Sequence, residues 1–185
     1  VFTQFKYPSM IWGAVLPAIT IPSPKYISRV NGTQREQNAY HAEWSRKTVK
    51  EVYKKAPKNF VVIHDITDYG RGHAEYFIAA VEKLGGKILA EMGITIGQKD
   101  FSAELTKAKA LKPDVIFFGG LTAEGARLRS QMQKLGIKAG FEGTSGILNE
   151  DFIKTTGAEV AEGSMCFGEG APFEKLPGGK EFLAS

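Results

Sequence analysis

Apolar and polar positions in the middle of this chain switch repeatedly between a continuous run and a helical spacing. Residues 60–63 (FVVI) are uninterrupted apolar positions that stop at His64 and Asp65, the pattern of a strand buried on both faces. Over residues 72–84, Ala74, Phe77, Ile78, Val81 and Leu84 fall on one helical face, and Gly85-Gly86 ends it. Residues 87–94 read as a second strand. Asp100 can cap a helix that carries Phe101, Leu105, Ala108 and Leu111. Pro113 marks the start of a third strand over 115–118, and Gly119-Gly120 make the turn after it. Thr122 can cap a helix running to Leu135, with Leu128, Met132 and Leu135 as its apolar stripe and Gly136 as its stop. A strand near 140–143, a helix near 149–155 and a strand over 163–167 complete the series.

The flanks are less regular. Prolines 8, 17, 22 and 24 break residues 1–33, where 15–21 and 26–30 are candidate strands. Residues 34–55 read as a helix ended by Pro57, with Ala39, Ala42, Trp44, Val49, Val52 and Tyr53 as a rough apolar face. After Gly168 the chain is loop-like, and 180–185 can begin a helix. Strands alternating with helices of this length predict parallel pairing through right-handed crossovers. The fold class expected for about 55–168 is therefore α/β, a doubly wound parallel sheet flanked by helices.

That topology directs attention to three turns at strand carboxyl ends: 65–72, 119–122 and 144–149. In open α/β sheets ligands bind beyond these ends. Tyr69 offers a ring and a hydroxyl to a small ligand, or simply packs on its turn. Gly119 and Gly120 either bring backbone close to a ligand or make a plain tight turn. Thr122, Thr144 and Ser145 supply hydroxyls and helix-start amides, which suit an anionic or carbonyl-bearing ligand, although such residues commonly serve only as caps. The candidate ligand-contact residues are Asp68, Tyr69, Gly120, Leu121, Thr122, Thr144 and Ser145.

Composition narrows the classes. An apolar fraction of 43% and a charged fraction of 24% in 185 residues are those of an ordinary globule. The net charge of +4 comes from cations interleaved with glutamates, so no nucleic-acid partner is expected. No apolar run reaches the about 18 residues of a membrane-spanning helix. Residues 10–21 come nearest, but Pro17 interrupts them and no cleavage pattern follows. Membrane insertion is not expected. The opening at Val1 reads as a fragment of a longer protein.

Catalytic signatures are absent. Gly70-Arg71-Gly72 would need glycine at 75 to make a dinucleotide fingerprint, and Glu75 stands there. No P-loop or HExxH occurs, and His64, His73 and Cys166 are too few and wrongly spaced for zinc. The stretch GTSGI (143–147) misses the last glycine of a nucleophile elbow. The lone Cys166, within an apolar run, reads as a buried inert thiol. No cofactor, no metal and no catalytic residue are expected.

The stretches FVVIHDITDYGRG, QKDFSAELTKAKALKPDVIFFGGLTAEGARLRSQMQKLGI and AEVAEG, in this order and approximate spacing, resemble the periplasmic binding proteins of branched-chain amino acid ABC transporters. The resemblance runs from about residue 24 to 173. It implies one lobe of a type I periplasmic binding protein: residues 1–33 as a remnant of the first lobe and crossover, 34–168 as the ligand-binding second lobe, and 169–185 as a return segment. It also implies capture of a small molecule between lobes, a membrane permease as partner, and a periplasmic location. Tyr69 matches an aromatic that contacts ligand in the family. Leu121 falls where amino-acid-binding members often carry another aromatic, and Ser145 where they often carry an acid that pairs with the ligand's ammonium; a shifted register would put Glu142 or Gly146 there instead. A buried ammonium without a carboxylate costs several kcal/mol. The departure therefore favours an aromatic or aliphatic acid or an amide without a free amine. The rival readings are the ligand-input domain of a receptor or regulator and, less favoured, an α/β enzyme.

Overall fold

The computed structural model describes residues 2–47, 54–168, 170, 175 and 177–184. A short helix α1 (Phe2–Phe5) leads to strand β1 (Ser9–Ile11), which pairs in parallel with β2 (Ile27–Arg29). Arg29 ties the segment between them, donating to the Thr20 hydroxyl at 3.0 Å and the Leu16 carbonyl at 2.7 Å. The strand expected at 26–30 is thus present. The one expected at 15–21 is not: Pro17–Ile19 is a single 3₁₀ turn. Pro17 at its first position has a φ suited to a turn and lacks the N–H a ladder needs.

Helix α2 (Gln34–Lys47) starts on a capping box in which Glu36 accepts from the backbone N–H and the hydroxyl of Thr33. Of the apolar face read from the sequence, only Ala42 is buried among the described residues. Gln34, Gln37, Asn38, His41, Ala42 and Ser45 are buried, whereas Ala39 is exposed. Val49, Val52 and Tyr53 lie outside the described residues, and Lys54 and Lys55 lie in a bend rather than in a helix.

From there the alternation holds. Strand β3 (Asn59–Asp65) is followed by α3 (Asp68–Lys83), β4 (Lys87–Ile94), α4 (Ser102–Leu111), β5 (Val115–Gly119), α5 (Thr122–Lys134) and β6 (Gly140–Thr144). A 3₁₀ turn (Ser145–Ile147), α6 (Glu150–Thr156), α7 (Ala158–Ala161), β7 (Ser164–Phe167) and α8 (Gly179–Ala184) follow. The sheet order is β4-β3-β5-β6-β7, with every neighbouring pair parallel. The strand period of two splits β3 between two cores. Phe60 and Val62 pack with Phe117, Phe77 and Val81 under α2 and α3, while Val61 and Ile63 pack with Phe118, Leu105 and Leu128 under α4 and α5. Helices cover both faces, as the doubly wound reading requires.

Helix starts differ from the sequence reading by a few residues, and each shift has a cause. Helix α3 begins at Asp68, four residues before 72, because Thr67 caps it by accepting from Gly70 N at 3.4 Å. Asp68 and Tyr69 therefore sit in a first helical turn rather than on a loop. Asp100 is not the cap of α4; Phe101 holds that position, and Asp100 accepts from Ser102 N at 2.9 Å. Leu121, not Thr122, occupies the cap position of α5 and supplies no capping side chain.

Candidate functional site

The reversal of strand order lies between β3 and β5: the chain leaves β3 toward β4 on one side and reaches β5 and β6 on the other. The carboxyl ends of β3, β5 and β6 consequently share one rim. After β3, the buried Asp65 accepts from Thr67 N at 2.9 Å and from the Thr67 hydroxyl. With the Thr67 cap, this fixes Tyr69 at the start of α3. The Tyr69 hydroxyl reaches across to the turn after β6, donating to Thr144 Oγ1 at 3.1 Å and lying 3.3 Å from Ser145 Oγ. Thr144 Oγ1 in turn donates to the Gly120 carbonyl at 3.2 Å. Thr122 Oγ1 donates to the Gly146 carbonyl at 2.8 Å and accepts from Asn149 Nδ2 at 2.7 Å. The backbones of two turns touch at Gly146, where a Cβ would lie against the Gly120 carbonyl oxygen.

Tyr69, Thr144 and Ser145 thus meet directly, and Gly120 and Thr122 are bonded into the same cluster. Leu121 shares the β5 turn, its side chain in solvent. Asp68 is exposed beside Tyr69. Ile66, Leu121 and Leu148, one after each of β3, β5 and β6, are 46%, 51% and 58% exposed. Apolar side chains placed on successive turns of one edge mark a surface fit to be covered.

The floor beneath Tyr69 is polar and was not legible as a site. The Tyr69 ring stands edge-on to His73, with centroids 4.5 Å apart. His73 is fully buried, and its Nδ1 lies 2.8 Å from Asn38 Nδ2. Because that amide nitrogen donates, Nδ1 accepts and the ring proton resides on Nε2. Burial, reinforced by the nearby His41, pushes the His73 pKa down to about 3. The i,i+4 spacing of Tyr69 and His73 was a readable signal; Asn38, from another helix, had none. Deeper in the interior, Glu142 is fully buried, bonded to His41 Nε2 at 3.1 Å and to Ser45 Oγ at 3.0 Å. Glu142 therefore faces α2 and not the rim, so it does not supply the acidic rim group considered for it, and Gly146 has no side chain to do so.

The opposite edge of the sheet is different in character. A cavity of about 600 Å³ near Asp114 and Gly140 is lined by five lysines. One of them, Lys109, donates to the Leu135 carbonyl at 2.7 Å, the ordinary role of a cation at a helix carboxyl end. Cys166 lies on the edge strand β7, half-buried rather than fully buried, and burial raises its thiol pKa, the reverse of an activated nucleophile. No helix among the described residues is long and apolar enough to cross a membrane.

Residues 21–185 match the periplasmic binding protein family, and the chain belongs to that family. It is similar to an amino acid binding protein of Pseudomonas aeruginosa, 30% identical over 91% of this chain and 43% of the relative. Among solved structures, a leucine-binding protein from Thermotoga maritima superposes with a TM-score of 0.88 at 26% identity, over 99% of this chain and 50% of that one. A branched-chain amino acid substrate-binding protein from Streptococcus pneumoniae, solved with isoleucine, gives 0.74 at 25% identity over 88% and 44%. Leu/Ile/Val-binding and leucine-binding proteins recur among the relatives, so the likeness is to the branched-chain amino acid type, and these relatives are binding proteins. The chain spans less than half the length of the curated relative it matches.

Proposed function

We propose that this chain forms the second lobe of a periplasmic solute-binding component of an ABC importer. The observation that carries the proposal is the shared rim. Turns from β3, β5 and β6 are bonded to one another through Tyr69, Thr144 and Thr122, and each presents an exposed apolar residue. Such a surface is half of a cleft. In this reading residues 34–168 are the lobe, 1–33 belong to the crossover and first lobe, and 169–185 return toward it.

The function is capture without chemistry. Asp68, Tyr69, Gly120, Leu121, Thr122, Thr144 and Ser145 line or support the ligand side of the rim. The first-turn amides of α5, left without a capping side chain by Leu121, suit a carboxylate or carbonyl oxygen of the ligand. Contacts to both lobes favour the closed form, which a membrane permease recognises; the shift cannot exceed the ligand's differential affinity for the two forms.

Calorimetry with a panel of amino acids, aromatic acids and amides tests this. The complete polypeptide that contains this chain binds a panel member, whereas the isolated 185 residues bind weakly or not at all, since half a cleft makes half the contacts. Micromolar or tighter binding by the isolated chain refutes the shared cleft, and turnover of any bound compound refutes capture without chemistry.

A further inference from the structure

The edge of the sheet opposite the rim gathers cations from three separate segments. Lys54 and Lys55 precede β3, Lys109 and Lys112 lie at the end of α4, and Lys138 precedes β6; all five are exposed and line one cavity of about 600 Å³. That volume falls within the range of small-molecule sites, about 300–1,000 Å³. The parallel fold produces the convergence, because it brings the strand starts and the carboxyl ends of the crossover helices to one side.

Two of the five have ordinary roles. Lys109 bonds the Leu135 carbonyl at the end of α5, and Lys55 lies 2.6 Å from Asp114 Oδ1. The other Asp114 oxygen accepts from Lys58 N and Asn59 N at 2.9 Å each, so this carboxylate is committed to the start of β3. Among the described residues, the side chains of Lys54, Lys112 and Lys138 enter no hydrogen bond or ion pair.

The charges do not cancel. Five lysines face one carboxylate, Asp114, among the described residues of the cavity wall, a surplus of four. The carboxyl ends of α4 and α5 each supply about half a negative charge, which lowers the surplus to about three. Residues 48–53, outside the described residues, carry one lysine and one glutamate, which add nothing to the sum. Backbone conformation points the same way. Lys54 and Lys112 hold φ of 62° and 52°, the left-handed region that glycine occupies at least cost. Gly136, which ends α5, takes that course with φ of 64°. Lysine at both positions keeps a cation on the cavity against the conformational preference.

We propose that this cavity is an anion site, separate from the solute rim, for a ligand bearing two or more phosphate groups. Flexible ammonium groups can close together around a compact multivalent anion, whereas a monocarboxylate engages one of them. A soluble polyphosphate and the headgroups of an anionic bilayer offer the same chemistry.

Two measurements on the complete polypeptide separate these sources: calorimetry with inorganic tripolyphosphate, and sedimentation with vesicles of phosphatidylglycerol and phosphatidylcholine in equal parts, against phosphatidylcholine alone. The parent binds at least one probe, and raising salt from about 50 to about 500 mM weakens the binding tenfold or more as the charges are screened. Binding of tripolyphosphate alone assigns a soluble anion; binding of the anionic vesicles assigns the headgroup. Lys54→Gly, Lys112→Gly and Lys138→Gln together remove the three uncommitted cations and give glycine to both left-handed positions. This triple variant binds the probe about tenfold or more weakly, while its melting temperature and its solute affinity stay with the parent's. Lys112→Gly alone, which only eases the end of α4, already weakens binding about threefold. Lys25→Gln, Lys99→Gln and Lys154→Gln, an equal change of charge away from the cavity, leave binding intact. No binding of either probe by the parent, unchanged binding by the triple variant, or an equal loss in the distant variant overturns the inference. None of these outcomes bears on solute capture at the rim.

Discussion

His73 makes folding sensitive to mild acid in a window where carboxylates contribute little. The unfolded imidazole takes up a proton near pH 6.5, whereas the folded one, buried against Tyr69 and Asn38, resists until about pH 3. A depressed histidine pKa means that the unfolded state binds more protons between these values. Stability is intact above about pH 6.5 and falls by roughly 1.4 kcal/mol per pH unit below it. Between pH 7.5 and 5.0 the loss attributable to His73 is about 2 kcal/mol, a substantial share of a typical domain's 5–15 kcal/mol. Carboxylates follow a separate course: Asp100, held low by the Ser102 hydroxyl and amide, loses its contribution only below about pH 4. Urea denaturation followed by circular dichroism at the two pH values measures the effect as a midpoint shift of about 1 M. The reference is His73→Gln, whose side-chain oxygen can still accept from Asn38 but does not titrate. The variant should lose about 2 kcal/mol less than the parent over this interval. Equal losses in the two proteins would refute the assignment of a buried neutral imidazole beneath the rim.

Two further perturbations probe the scaffold. Glu142→Ala leaves His41 and Ser45 facing an empty polar site in the core and should cost about 3–5 kcal/mol, read as a lowered urea midpoint; a loss below 1 kcal/mol would contradict the buried network. Gly146→Ala forces a methyl against the Gly120 carbonyl, which is backbone and cannot swing aside. It should cost about 1–3 kcal/mol and weaken ligand binding by the complete polypeptide, whereas an unchanged melting temperature would show that the two turns are not in contact.

Much of the architecture was legible because local and tertiary demands agree. Runs such as 60–63 and 115–118, short and bounded by turn residues, read as strands buried on both faces, and the glycines at 85 and 136 adopt the positive φ expected where a helix stops. The rim followed from parallel pairing, which a βαβ alternation nearly dictates, because all carboxyl ends of a parallel sheet lie on one edge; the strand order itself was not legible. Two kinds of information were hidden. Caps depend on side-chain hydrogen bonds of a single turn, so Thr67 moved the start of α3 and placed Tyr69 on a helix. The buried face of α2 is largely polar, contrary to any hydrophobic pattern, because Asn38, His41 and Ser45 bond to His73 and Glu142, while Ala42 and the His41 ring pack on the apolar sheet face. Glu142 itself sits within an ordinary strand sequence, and its direction, toward His41 and Ser45, is set by the tertiary packing of α2 on the sheet.

The most direct measurement is a crystal structure of the complete polypeptide grown with a solute it binds. The account predicts the solute between two lobes, within hydrogen-bond distance of the Tyr69 hydroxyl or Ser145 Oγ and in contact with Leu121. A solute bound only at the opposite edge of the sheet, among the lysines around Asp114, would contradict it.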